Sequence, residues 1–96
     1  MIGYSRSLVD LLSELRARNG APSLRAIAAR IPSATGRTTS AGYISEVCRG
    51  KRIPSGDMAA AIVRVLRGNG DEQTRARLYA EEAVNDRTIL HGRRQG

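Results

Sequence analysis

One apolar spacing recurs three times in this chain and limits what it can fold into. Leu8, Leu11, Leu12 and Leu15 stand at i, i+3, i+4 and i+7. Leu24, Ile27, Ala28 and Ile31 repeat the spacing, and so do Met58, Ala61, Ile62 and Val65, with Leu66 widening the last stripe. Each set lines one side of an α-helix and asks for a partner to cover it. No run alternates apolar and polar residues as a half-buried strand would. The expected fold is all-α, a compact bundle of about five short helices, and 96 residues hold one such domain.

Punctuation divides the helices. Ser7 with Asp10 reads as a capping pair and Gly20 as the first stop. Ser23 caps the second helix and Pro32 is expected to end it. A third helix fits between Ser40 and Arg49, with Tyr43, Ile44 and Val47 inward and Gly50 as its stop. Ser55, after Pro54, opens a fourth that Gly68 closes. A fifth starts at Asp71, where acidic residues suit a helix N-terminus, and is expected to end near Asn85. Its stripe is Ala76, Tyr79, Ala80 and Ala83. Residues 1–85 form the expected domain, and 86–96 read as a tail or the start of a linker.

Composition narrows the chemistry. One cysteine (Cys48) and one histidine (His91) exclude a disulfide framework and a zinc site. Nothing gathers carboxylates or serines into a catalytic set, and no cofactor or small-molecule motif occurs, so an enzyme is not expected. No stretch approaches the ~20 apolar residues of a membrane span, which points to a cytoplasmic protein. Cys48 reads as a small residue on the flank of the core.

Charge supplies the positive evidence. Residues 16–52 hold eight basic side chains and one acid, Glu46, a net of +7, which equals the excess of the whole chain. The segments on either side carry −1 and +1. A basic excess confined to one segment is the footprint of a nucleic-acid surface.

That segment also carries a motif. Tyr43-Ile44-Ser45, Arg49-Gly50-Lys51-Arg52 and Pro54-Ser55 follow a Ser-capped helix start in an order that resembles the Cro/repressor-type helix-turn-helix family. The resemblance runs from about Leu8 to Leu66, and the region after Gly68 is similar to small actinobacterial regulators of that class. It implies a DNA-binding transcriptional regulator, commonly a repressor, with the third helix in the major groove of double-stranded DNA. One departure is visible: eight residues separate Ile31 from Ser40, where the family's turn takes 3–4.

Helical geometry selects the residues of the third helix that can read bases. Opposite Ile44 and Val47 lie Gly42, Ser45, Glu46 and Arg49. Glycine permits close approach, Ser45 can exchange one hydrogen bond, Glu46 can accept from a cytosine amine, and Arg49 can hold guanine in bidentate fashion. The competing arrangement for Glu46 and Arg49 is an exposed i, i+3 ion pair. Phosphate contacts are expected from Ser23 and Ser40 at helix starts, from Arg25, and from Arg37, Thr38 and Thr39 in the long turn. Lys51 and Arg52 beyond Gly50 complete the set. A homodimer on a palindromic site is expected, joined through the region after Gly68. The rival function is a protein-interaction adaptor with only non-specific nucleic-acid binding.

Overall fold

A computed structural model describes residues 6–95, with side chains to Asn85. Those residues form five helices and no strand: α1 (Arg6–Arg18), α2 (Leu24–Thr35), α3 (Ala41–Cys48), α4 (Gly56–Val65) and α5 (Gly70–Gln95). The all-α bundle is therefore the fold.

Helix α4 sits at its centre. It packs on α5 along one side and on α2 along another, while α1 closes the bundle against α5, α3 and α4. The core is aliphatic: Leu8, Leu12 and Leu15 meet Ile27, Ile31, Ile44, Val47, Ile62, Val63 and Leu66. Alanines at 59, 76 and 80 are fully buried between α4 and α5. Small side chains there let two backbones approach and keep a short chain closely packed.

Local chemistry explains most boundaries. Ser23 Oγ accepts the Ala26 N–H at 3.0 Å, Ser40 Oγ the Tyr43 N–H at 3.0 Å, and Ser55 Oγ the Met58 N–H at 3.1 Å, each filling an orphan donor of its helix. Gly20 (φ 82°) ends α1 in a left-handed turn, where the Ala21 N–H reaches back to the Arg16 carbonyl.

Five expectations are corrected. Ser7 lies inside α1, not at its cap. Pro32 lies inside α2, which continues to Thr35 and stops at Gly36 in the left-handed region (φ 76°). Proline removes one N–H from the ladder. The last turn holds nonetheless, because Ile31 is fully buried and the Thr35 hydroxyl donates to the Ile31 carbonyl. The inward face of α4 is Ala59, Ile62, Val63 and Leu66, one residue round from the expected phase, with Met58 and Val65 only partly buried. Alanine-rich sequence carries little phase information, and α4 is covered from two sides. Helix α4 ends at Val65 with Leu66 as its C-cap, and in the turn beyond it the left-handed residue is Arg67 (φ 64°), not Gly68. Helix α5 begins at Gly70 and runs to Gln95, ten residues past the expected end.

The start of α5 is a reciprocal cap. Asn69 Oδ1 accepts the Glu72 N–H at 2.8 Å while Glu72 Oε1 accepts the Asn69 N–H at 2.9 Å. Arg18 Nη2 lies 3.0 Å from both Glu72 oxygens, and Asn19 Nδ2 donates to the carbonyls of Leu15 and Leu66. These bonds tie the end of α1 to the α4–α5 turn and orient α1 in the bundle.

Candidate nucleic-acid interface

Helix α3 is short, and its orientation rests on two side chains. Ile44 and Val47 are fully buried, with α1 and α2 packed against the helix. Their burial turns Gly42, Glu46 and Arg49 outward, and all three are exposed. Ser45 is half-buried. It borders a groove of about 420 Å³ between α1 and α3 that Ser13, Arg16, Ala17 and Arg49 also line. Three of the four expected base-reading residues thus share an open face, and Ser45 stands at its edge. A Cβ added at Gly42 would meet nothing closer than Ser40 Oγ at 3.8 Å. The fold itself does not require glycine there; the missing side chain leaves the surface low.

The connection between α2 and α3 is shorter than the sequence suggests. Because α2 extends to Thr35, only residues 36–40 link the two helices. Thr35 Oγ1 accepts the Arg37 N–H at 3.0 Å and fixes the turn's entry. Arg37 and Thr38 are exposed on this turn, Thr39 is half-buried, and Ser40 is exposed at the α3 cap. At the start of α2, Ser23 and Arg25 are likewise exposed.

The exit from α3 is built around Gly50 (φ 77°). The Gly50 N–H donates to the Val47 carbonyl at 3.1 Å, and the Lys51 N–H to the Glu46 carbonyl at 2.8 Å, the Schellman pattern of a helix C-terminus. This turn carries Arg52 back over the helix, where its Nε lies 2.7 Å from Glu46 Oε1. Its guanidinium carbon stands 5.5 Å from the centroid of the Tyr43 ring. Glu46 is therefore paired with Arg52, not with Arg49. The hydrogen bond from Arg52 to Glu46 holds the guanidinium above its ordinary pKa. Burial raises the Tyr43 hydroxyl, with the Arg52 charge acting the other way.

The other cations of residues 16–52 fall into two groups. Arg16 Nε donates to the Pro22 carbonyl at 2.7 Å, and Arg18 is committed to Glu72, so both serve the fold. Arg25, Arg30, Arg37, Arg49 and Lys51 have no carboxylate within 4.0 Å among the described residues. Their charge faces outward, uncompensated by contact. Cys48 is half-buried, and burial pushes its thiol up, against the nearby Arg16 charge, so it stays a neutral core-flank residue. His91, Ile89 and Leu90 lie outside the residues whose side chains are described.

Residue spacing missed the Glu46–Arg52 pair, although a signal was present. An Arg-Gly stop after a helix predicts a left-handed glycine, and that geometry returns the following residues to the last turn. Among protein-family models, curated proteins and solved structures, none matches the chain.

Proposed function

We propose that this chain is a sequence-specific DNA-binding transcriptional regulator of bacterial or phage type, cytoplasmic and acting at the nucleoid by occupying an operator. The observation that carries the reading is α3. Its apolar side is locked into the core by Ile44 and Val47, while Gly42, Glu46 and Arg49 stand exposed on the other side. Arg25 at the start of α2, Arg37 on the 36–40 turn and Lys51 just beyond Gly50 are exposed, with no carboxylate within 4.0 Å among the described residues. In this reading α2, the 36–40 turn and α3 act as a helix-turn-helix, as the resemblance to the Cro/repressor-type family implies.

The chemistry follows from the side chains. Helix α3 enters the major groove, and Gly42 allows its backbone close to the base edges. Arg49 donates two bonds to guanine O6 and N7, and Glu46 accepts from a cytosine amine. Arg25, Arg37 and Lys51 neutralise phosphates, helped by the hydroxyls of Ser23, Thr38, Thr39 and Ser40. Such contacts set register and affinity, and the base contacts set sequence.

Selection of bound sites from a random duplex library tests the reading directly, followed by affinity measurement across a salt series. With ~6 phosphates neutralised by a bound dimer, log K against log[salt] is expected to slope near −5. A slope shallower than about −2, or no enriched sequence, defeats the proposal.

A further inference from the structure

Arg52 lies beyond the end of α3, yet both its backbone and its side chain return to Glu46. The Glu46 carbonyl accepts from the Lys51 N–H at 2.8 Å and the Arg52 N–H at 3.3 Å. The Glu46 carboxylate accepts Arg52 Nε through Oε1 at 2.7 Å. The Tyr43 ring, 5.5 Å from the guanidinium carbon, holds the other side of the group. A lone exposed ion pair spends most of its attraction on fixing two long side chains. Here the turn at Gly50 delivers the guanidinium and the ring backs it, so the chain has already restricted the search. Both partners keep about half of their side-chain surface exposed, 55% for Arg52 and 48% for Glu46, so the pair remains reachable from outside.

We infer that Arg52 is a positioning residue for base readout, holding the Glu46 carboxylate on the outer face of α3 so that it reads a cytosine amine. The inference rests on the DNA-binding reading above. A carboxylate offers about four acceptor positions. Arg52 Nε occupies Oε1, no hydrogen bond among the described residues is made to Oε2, and a cytosine N4 amine can donate there. The pairing also settles the charge on this face. An unpaired Glu46 would carry its negative charge into a groove walled by phosphates, and Arg52 cancels it at contact distance. Arg52 thus acts on specificity through another residue and is distinct from Arg25, Arg37 and Lys51, which have no carboxylate within 4.0 Å among the described residues.

The full chain tests this. Sites are selected from a random duplex library for wild type, Glu46→Ala, Arg52→Ala, Arg52→Lys and the Glu46→Ala/Arg52→Ala double variant, and affinities are measured on the wild-type site and its single-base changes. Circular dichroism checks that each variant is folded. The position whose preference disappears in Glu46→Ala identifies the base that Glu46 reads. Wild type is expected to favour cytosine there by roughly 5- to 150-fold, the range of one good base contact. Arg52→Ala and Arg52→Lys lose most of that preference and keep the guanine preference read by Arg49, and the double variant loses no more than Glu46→Ala alone. If Arg52→Ala weakens every duplex alike with the cytosine preference intact, and Arg52→Lys restores affinity, Arg52 is a phosphate contact and the inference falls. If wild type selects a site whose profile Glu46→Ala leaves unchanged, the inference falls while DNA binding stands. If wild type selects no sequence, both fall.

Discussion

Arg67 holds a left-handed backbone, φ 64°, that Gly20 and Gly50 supply at the ends of α1 and α3. A side chain in that region costs roughly 1–2 kcal/mol, and glycine largely avoids the cost. The glycine of α4 stands one residue later because it is needed there more. The Gly68 N–H reaches the Val63 carbonyl at 2.8 Å, and a Cβ on Gly68 would lie 2.3 Å from Val63 Cγ1. Arg67→Gly is therefore expected to stabilise the domain by about 0.5–1 kcal/mol and Gly68→Ala to destabilise it by about 1–3 kcal/mol, both read from urea unfolding. Glu72, only 5% exposed, belongs to the same corner. The Asn69 N–H first, and the Arg18 guanidinium after it, hold its carboxyl below the ordinary carboxylate range against the effect of burial. Asp57 is lowered as well, by its hydrogen bond from Arg77. A depressed folded-state pKa contributes stability above the unfolded value, about 4.3 for Glu, and loses it as pH falls through the folded value. The melting temperature should accordingly fall in acid, and Glu72→Gln should be less stable at neutral pH with a shallower acid decline. Parallel curves for the two proteins between pH 7 and 3 would remove Glu72 from this role.

Helices were legible wherever bulky aliphatics set the phase. Leu8, Leu12 and Leu15 in α1, Ile27 and Ile31 in α2, and Ile44 and Val47 in α3 are buried where their spacing puts them. The reading failed where the signal was weak or non-local. In α4, alanines at 59, 60 and 61 are apolar on every side, so burial by α2 and α5 decided the phase. Pro32 reads as a stop, yet buried Ile31 and the Gly36 turn hold one further helical turn around it. The outer face of α3 was readable from spacing, while the Glu46–Arg52 pair was not, since it depends on the left-handed Gly50 that the Arg-Gly stop signals. Ile44→Ala tests the helix phase on which the candidate site depends. Truncating this fully buried side chain is expected to cost about 2–5 kcal/mol, seen as a large loss of melting temperature. A melt unchanged within a couple of degrees would mean that α3 is rotated away from this arrangement.

At the scale of the molecule the question is what α5 is for. At about 1.5 Å per residue its 26 residues span roughly 39 Å, longer than the two short dimensions of the molecule, 24 and 22 Å. Its first turns belong to the core: Glu72 closes the α5 cap and holds Arg18 of α1, and Ala76, Ala80 and Ala83 are buried. Removing everything after Gly68 would therefore unfold the domain and say nothing about assembly. Leu78 is different, an apolar side chain 50% exposed on the same helix. One α3 reads only a few base pairs, and its low surface at Gly42 makes it a poor reader alone. Two copies one helical turn apart, ~34 Å, would double the contacts and require a palindromic site. The expectation is a two-fold dimer on DNA joined through α5. Leu78→Glu should keep the fold, since the side chain is already half in water, while placing two like charges at the contact. Its melting temperature should stay near wild type, and its binding to a palindrome should become non-cooperative and weaker. Binding to a half-site should be unchanged, because α3 is untouched. Unaltered cooperative binding by both Leu78→Glu and a chain ending at Asn85 would place the dimer contact elsewhere. Weaker binding by either protein to the half-site would instead point to damage within the domain.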